Sequence, residues 1–398
     1  MTVGGADLTH DLLQAARQGN TDVIQALLAR GTNVDARNLV GETALMQAAE
    51  KGHAEVVEIL VGQRVEVNAQ DKRGWTALMH AADEGHSKVL EQLLAAGATS
   101  SLKNRHGMTA LMSAAYSGHA DCAQVLVSAG ADVNPRNKME QSALMAAAQR
   151  GHTPVLIALL DAGADLRARD SDHMSALLHA VSLGRDDAVR VLLERGSNVL
   201  DENLYEWSAL RRAAFLGHAG IVKALLDSGA PVDDASKRDG LTPLILAADC
   251  GDAKTVEALL AGNAEVNARD HNGSTALIKA ASQGHVAVAE ALLGKGADPG
   301  LENGHNWNAL RSAAAKGHLE VVRLLLRHGA ALNQASQHGM TALMCAAQTG
   351  QIRIVQCLLD AKADVTAKSS SGETALRIAR KNGFTKVVGQ LTAAGVLE

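Results

Sequence analysis

Three observations predict an all-α solenoid of tandem helix pairs. First, a helix-ending glycine recurs at Gly19, Gly52, Gly85, Gly118, Gly151, Gly184, Gly217, Gly251, Gly284, Gly317, Gly350 and Gly383, every step being 33 residues except the 34 from Gly217 to Gly251. A fixed period of this length marks stacked supersecondary units. Second, the chain is 47% hydrophobic but only 2% aromatic. Its core must therefore use Ala, Leu and Val, which suits thin helices packed closely. Third, twelve units of 33 residues use almost all of the 398 positions, so little is left for another domain.

The elements of one unit follow in order from residues 71–103, DKRGWTALMHAADEGHSKVLEQLLAAGATSSLK. Asp71 and Gly74 frame a tight turn, Asp bonding locally and Gly accepting positive φ. Thr76 is placed to cap a short first helix, whose apolar face is Leu78, Ala81 and Ala82. Gly85 stops that helix in the left-handed region. A second helix is expected from Ser87 to Ala95, with Val89, Leu90, Leu93 and Leu94 on its apolar side. Gly97 ends it, and an extended stretch leads to the next turn.

These units resemble ankyrin repeats. The resemblance rests on TALMQAAEKGHAEVVEIL (43–60), TALIKAASQGHVAVAEALL (275–293) and NALRSAAAKGHLEVVRLLLRHGA (308–330), and covers residues 5–395. The Pro usual after the capping Thr is mostly Ala here, and only Thr242–Pro243–Leu244 keeps it. The resemblance implies a curved rod with short β-turn or hairpin loops and a concave partner-binding face. It divides the chain into an N-terminal capping repeat at 5–38 and ten internal repeats. These are 39–71, 72–104, 105–137, 138–170, 171–203, 204–237, 238–270, 271–303, 304–336 and 337–369. A C-terminal cap follows at 370–398.

Composition narrows the function further. A net charge of -5 and a pI near 6.3 give no case for nucleic acid or an anionic membrane. Cys122, Cys250, Cys345 and Cys357 form no CxxC pair, which fits a reducing compartment and a cytoplasmic location. The opening MTVGGADLTHDLL lacks the basic and apolar regions of a signal peptide. No apolar run is long enough to span a membrane.

Consensus positions account for folding, so function is sought where the repeats differ. Trp75, Trp207 and Trp307 stand immediately before the capping residue, while Tyr116 and Phe215 follow an Ala-Ala pair. Tyr205 is at a turn tip, and Phe384 replaces the usual His. Six of the seven aromatic residues thus occupy variable positions expected to be exposed. Met174, Leu183, Leu204, Tyr205, Trp207, Phe215 and Leu216 make the densest apolar group, and Met108, Leu241, Trp307 and Met340 extend the pre-cap column. Exposed aromatic groups of this kind mark interfaces. The competing readings are rings that only cover neighbouring turns, or a surface that pairs copies of the chain.

Two irregularities lie nearby. The turn glycines Gly41, Gly74 and Gly107 give way to Glu140, His173 and Glu206, and later to Asn306. If those positions keep positive φ, each costs roughly 1 kcal/mol. The extra residue of the 34-residue step falls between Val232 and Gly240.

Arg37, Lys72, Arg73, Lys103, Arg105, Arg136 and Lys138 concentrate positive charge in the early turns. They suit either an acidic partner segment or a solvated mixed-charge edge, with nucleic acid as a remote alternative. His53, His86, His119, His152, His218, His285 and His318 each follow a helix-ending Gly, and the family resemblance implies that they are structural. The turn histidines His106, His173, His271, His305 and His338 lack a completing carboxylate or Cys, so no metal is expected. Arg211, Arg311 and Arg377 suit either an anion or the carbonyls of the next turn. No GxSxG, HExxH or phosphate-cradling loop occurs, and neither catalysis nor a cofactor is expected. The leading reading is a non-catalytic scaffold, monomeric alone, that binds a protein or extended peptide whose identity the sequence does not give. The alternative is an assembly component that self-associates or docks into a larger complex.

Overall fold

The computed structural model describes residues 4–395, with side chains from residue 8. The last three positions of the expected cap at 370–398 lie outside the described residues. Twenty-four helices form among the described residues, in consecutive pairs. The fold is all-α.

The chain divides into two units, 1–205 and 206–398. In the first, the leading helices of the pairs are Gly4–Gln18, Ala44–Lys51, Ala77–Glu84, Ala110–Ser117, Ala143–Arg150 and Ala176–Ser182. Their partners are Thr21–Ala29, Ala54–Val61, Ser87–Ala95, Ala120–Ser128, Thr153–Asp161 and Asp186–Glu194. In the second unit the leading helices are Ala209–Phe215, Pro243–Cys250, Ala276–Gln283, Ala309–Lys316, Ala342–Gln348 and Ala375–Lys381. The partners there are Ala219–Asp227, Ala253–Ala261, Val286–Gly294, Leu319–Arg327, Ile352–Asp360 and Thr385–Ala393. Within each unit, leading helices pack on leading helices and partners on partners, giving two layers.

Small residues make this possible. Ala48, Ala49, Ala81, Ala82, Ala114 and Ala115 are fully buried, so neighbouring leading helices approach through methyl groups. Val89, Leu90 and Leu93 bury the partner helix as its spacing predicts, whereas Leu94 is half-exposed. None of the seven aromatic residues is buried. Each leading helix after the first opens on a cap: Thr76 Oγ1 accepts from the Met79 N–H at 3.2 Å, as Ser142 and Asn308 do from Met145 and Arg311.

Gly85 closes its helix at φ 83°. A Cβ there would lie 2.5 Å from His119 Nδ1, so both backbone conformation and space demand glycine. The same contact recurs at Gly52 with His86, Gly118 with His152 and Gly284 with His318. The imidazole that presses on the glycine also reaches a carbonyl in the last turn of the helix which that glycine closes. The Nε2 of His86 lies 3.0 Å from the carbonyl of Glu50, and that of His318 lies 3.0 Å from Ser282. Other side chains take the same place: Arg185 against Gly151, Gln351 against Gly317 and Phe384 against Gly350.

The turns are zipped to one another by backbone. Within unit 1, Lys72 N–H donates to Val40 O, Arg105 to Arg73, Lys138 to His106 and Ser171 to Met139. Glu140, His173 and Glu206 do sit at φ 59°, 58° and 61°, and Asn306 at 62°, so the strain inferred from their chemistry is real. The inserted residue lengthens one turn. Gly240 N–H bonds to Ser236 O four residues back, where Gly74 bonds to Asp71 three back.

Two stability outcomes follow from these geometries. Gly85→Ala is expected to destabilise by about 2–3 kcal/mol in urea unfolding. Gly97→Ala keeps the positive φ of 88° but meets nothing within 4 Å, and should lose only about 1 kcal/mol. Equal losses would show that the histidine contact is irrelevant. His173→Gly should raise stability by about 1 kcal/mol.

Candidate functional site

Most of the turns are Asx turns, and Ser236, Ser336 and Ser369 take the same position in the others. Asp71 Oδ1 accepts from the N–H groups of Arg73 at 2.7 Å and Trp75 at 2.8 Å, which fixes the residue before the cap. Asn104 holds Met108, Asp170 holds Met174 and Asn303 holds Trp307 in the same way. The pre-cap column is therefore set by the turn.

Exposure along that column differs from the sequence expectation. Met174 is only 8% exposed, because Asn203 from the next turn covers it, with Nδ2 3.7 Å from the thioether sulfur. It is not a surface residue. Trp75, Met108, Trp207, Leu241, Trp307 and Met340 are half-buried. The Trp75 ring lies 5.1 Å from the His80 ring, and the Trp207 ring 5.5 Å from Phe215.

The tips of the leading helices are the better-exposed positions. Tyr116, Leu183 and Phe215 are 43%, 48% and 47% exposed, and Leu216 and the turn residues Leu204 and Tyr205 are exposed as well. Arg150 stacks its guanidinium 4.0 Å above the Tyr116 ring. The exposed turn residues Leu39, Val40, Met139 and Leu200 were not singled out from the sequence. Their apolarity at turn tips was the available signal. In unit 1 an open groove of about 950 Å³ is lined by Leu13, Arg17, Arg37, Leu39, Glu42 and Lys51, among others.

Several of the expected electrostatic contacts are already used inside the fold. Arg37 Nη1 donates to Gln70 O at 2.7 Å, Gln70 Nε2 to Lys103 O at 3.1 Å, and Lys103 Nζ to Arg136 O at 2.8 Å. Arg136 continues the ladder to Arg169 O. Each side chain staples its turn to the carbonyl 33 residues on. Arg73 bonds Asp71, while Lys72, Arg105 and Lys138 are exposed. Arg211 and Arg311 are buried rather than presented to an anion. Arg211 pairs with Asp234 at 3.0 Å, and Arg311 bonds Gln334 O, Asn306 O and Glu302. Arg377 is exposed.

One polar cluster escaped the sequence reading. Glu42, Asp71 and His80 each bring a ligand-type atom within 4.8 Å of the others. Their signal is a histidine nine residues after a turn aspartate, repeated at Asp170 and His179, where Nε2 lies 2.8 Å from the carboxylate. Burial, opposed by the charges of Glu50, Asp71 and Glu42, lowers the His80 pKa below the ordinary 6.5.

The model for ankyrin repeats (3 copies) matches residues 12–104, 67–137, 96–170, 134–203, 210–303, 295–369 and 311–396. The chain belongs to the ankyrin repeat family. No curated protein matches it. Ankyrin repeats are generally protein–protein interaction modules and generally non-catalytic. No helix among the described residues is long and apolar enough to cross a membrane.

At one of these junctions the histidine that precedes the partner helix gives stability a pH response. Burial, together with the charges of Arg150, His119 and Arg185, lowers the His152 pKa below 6.5. The unfolded chain therefore binds this proton more tightly. Its contribution to stability is complete above about 6.5 and is lost as pH falls toward the folded value. Gln351 fills the equivalent place against Gly317. His152→Gln should thus fold and lose less melting temperature than wild type between about pH 7 and pH 5. An identical slope in both proteins would remove His152 from the pH response.

Proposed function

We propose that this ankyrin repeat protein is a scaffold that binds a partner protein through exposed turn residues and leading-helix tips. One observation carries the reading. Tyr116, Leu183, Phe215 and Leu216 are large, apolar and exposed at helix tips. Positions equivalent to Tyr116 and Phe215 hold Glu50, Asp83, Gln149, Asp249, Ser282 and Gln348, and those equivalent to Leu183 and Leu216 include Lys51, Glu84, Arg150, Gln283, Lys316 and Thr349. Folding does not require apolar groups there, so their desolvation is available to a partner. Half-buried Trp207, packed on Phe215, would support that anchor from below.

The basic turns make a smaller contribution to this reading. Arg37, Lys103 and Arg136 are engaged with carbonyls, which leaves Lys72, Arg105 and Lys138 to steer an acidic segment. We further assign residues 5–38 and 370–398 as capping repeats, and a reducing compartment such as the cytoplasm as the working location. Four free cysteines support the latter, Cys122 and Cys345 being buried with pKa values raised to about 11. Their thiols are poor nucleophiles and poor candidates for catalysis.

Capture from cells of the source organism, with wild type against Tyr116→Ala and Phe215→Ala, tests the scaffold. The partner retained by wild type should be bound about tenfold more weakly by at least one variant, with melting temperature unchanged. Full retention by both variants rejects the helix tips as the site. Light scattering across a concentration series separates the alternative: a mass that grows with concentration, and not in Phe215→Ala, would identify a self-assembly surface.

A further inference from the structure

Glu42, Asp71 and His80 come from two successive turns and the helix Ala77–Glu84. Asp71 and His80 are each only 6% exposed. Both carboxylates are gripped by neutral donors. Asn38 Nδ2 and Gln47 Nε2 each bond Glu42 Oε2 at 2.8 Å, and the backbone N–H groups of Arg73 and Trp75 bond Asp71 Oδ1. That leaves Glu42 Oε1 and Asp71 Oδ2 for a cation. The Arg73 guanidinium lies there, Nε 3.1 Å from Asp71 Oδ2 and Nη2 3.6 Å from Glu42 Oε1.

His80 supplies the second, independent observation. Its Nε2 is buried and has no hydrogen-bond partner. The position does not require this. His179 pairs with Asp170 at 2.8 Å, and Lys279 lies 3.6 Å from Asp270. At those places the residue matching Glu42 is Gln141 or Leu241. Only where a second carboxylate converges is the imidazole left unpaired. An unpaired buried nitrogen costs stability, and one guanidinium balances only one of the two carboxylate charges.

We propose that Glu42, Asp71 and His80 form a binding site for a divalent transition-metal ion, zinc(II) foremost, which displaces the Arg73 side chain into solvent. One imidazole nitrogen and two carboxylate oxygens are a donor set that zinc accepts, with water completing the coordination. Magnesium and calcium favour oxygen-only sites, so the imidazole selects against them. The donors behind each carboxylate are the outer contacts that such ligands need to hold their orientation. Arg73 has a 61% exposed side chain and can leave without disturbing the core. A bound ion would tie the turn carrying Glu42 to the turn carrying Asp71, a metal-coordinated version of the staples made elsewhere by side chains. This site is separate from the helix tips assigned to the partner, and neither proposal depends on the other.

The test titrates the metal-free full chain with Zn²⁺ against a chromophoric chelator, and with Cu²⁺ while tryptophan fluorescence is read. Zinc should bind at one site that His80→Gln weakens about tenfold or more. Arg73→Ala, an exposed change that leaves the fold intact, should tighten binding about threefold by removing a competing cation. His53→Gln, at a repeat junction, should leave it unchanged. Because the Trp75 ring lies 5.1 Å from His80, Cu²⁺ should quench Trp75, and Trp75→Phe should abolish that part of the quenching. Zinc affinity equal in wild type, His80→Gln and Arg73→Ala would overturn the site, as would no zinc uptake by wild type at about 100 μM, a concentration far above that needed for a formed zinc site.

Discussion

At the end of most leading helices the chain needs a left-handed residue without a Cβ, because the residue that precedes the next repeat's partner helix lies against it. His86 on Gly52, His119 on Gly85 and His318 on Gly284 show the arrangement. The glycine stops the helix, and its bare face is the floor on which the next imidazole rests. That imidazole then reaches a carbonyl of the preceding repeat, so a local stop signal becomes a long-range contact. Alanine-lined helix faces work for the same reason, since a bulkier layer would lift the ring away from the glycine. The contact tolerates Arg185, Gln351 or Phe384 in place of histidine, which makes the glycine the stricter partner.

The turns have their own constraint. An Asx or Ser side chain fixes the hairpin and a backbone bond links it to the next, while Arg37, Gln70, Lys103 and Arg136 add a side-chain staple to each of four early repeats. A staple of this kind commits donor groups and fixes the head group in place, while the positive charge itself remains. The early turns therefore offer fewer free donors to a partner than their composition suggests. Where the turn glycine is lost, at Glu140, His173 and Glu206, positive φ persists. The backbone bonds between successive turns, such as Ser171 to Met139 O, hold the conformation against the preference of the side chain.

What the repeats do not use falls into two groups. Exposed apolar tips such as Tyr116 and Phe215 sit where other repeats carry polar residues, and they are where we propose that a protein partner binds. The convergence of Glu42, Asp71 and His80 is different: a polar group inside the turn layer whose bonding is incomplete. The first concerns desolvation of surface and the second charge in a buried place, and they are chemically independent.

Read residue by residue, the sequence determined the helix pairs, their caps, their glycine stops and the alanine core. Those depend on period, small-residue spacing and local hydrogen bonding, all of which are visible along the chain. It also placed Glu140, His173 and Glu206 at strained positions, because the turn glycines they replace are evident from the repeat. Only the tertiary structure decided exposure and pairing between repeats. Met174 reads as a surface residue until Asn203 of the next turn is laid over it, and Arg37 reads as free charge until Gln70 O is found 33 residues away. His80 stands apart from His179 where Glu42 replaces Gln141 one turn before it and Arg73 takes the aspartate oxygen equivalent to the one His179 uses. Each of these is a contact across the stacking direction, where the distance between side chains depends on how one turn settles on the next rather than on the spacing within either.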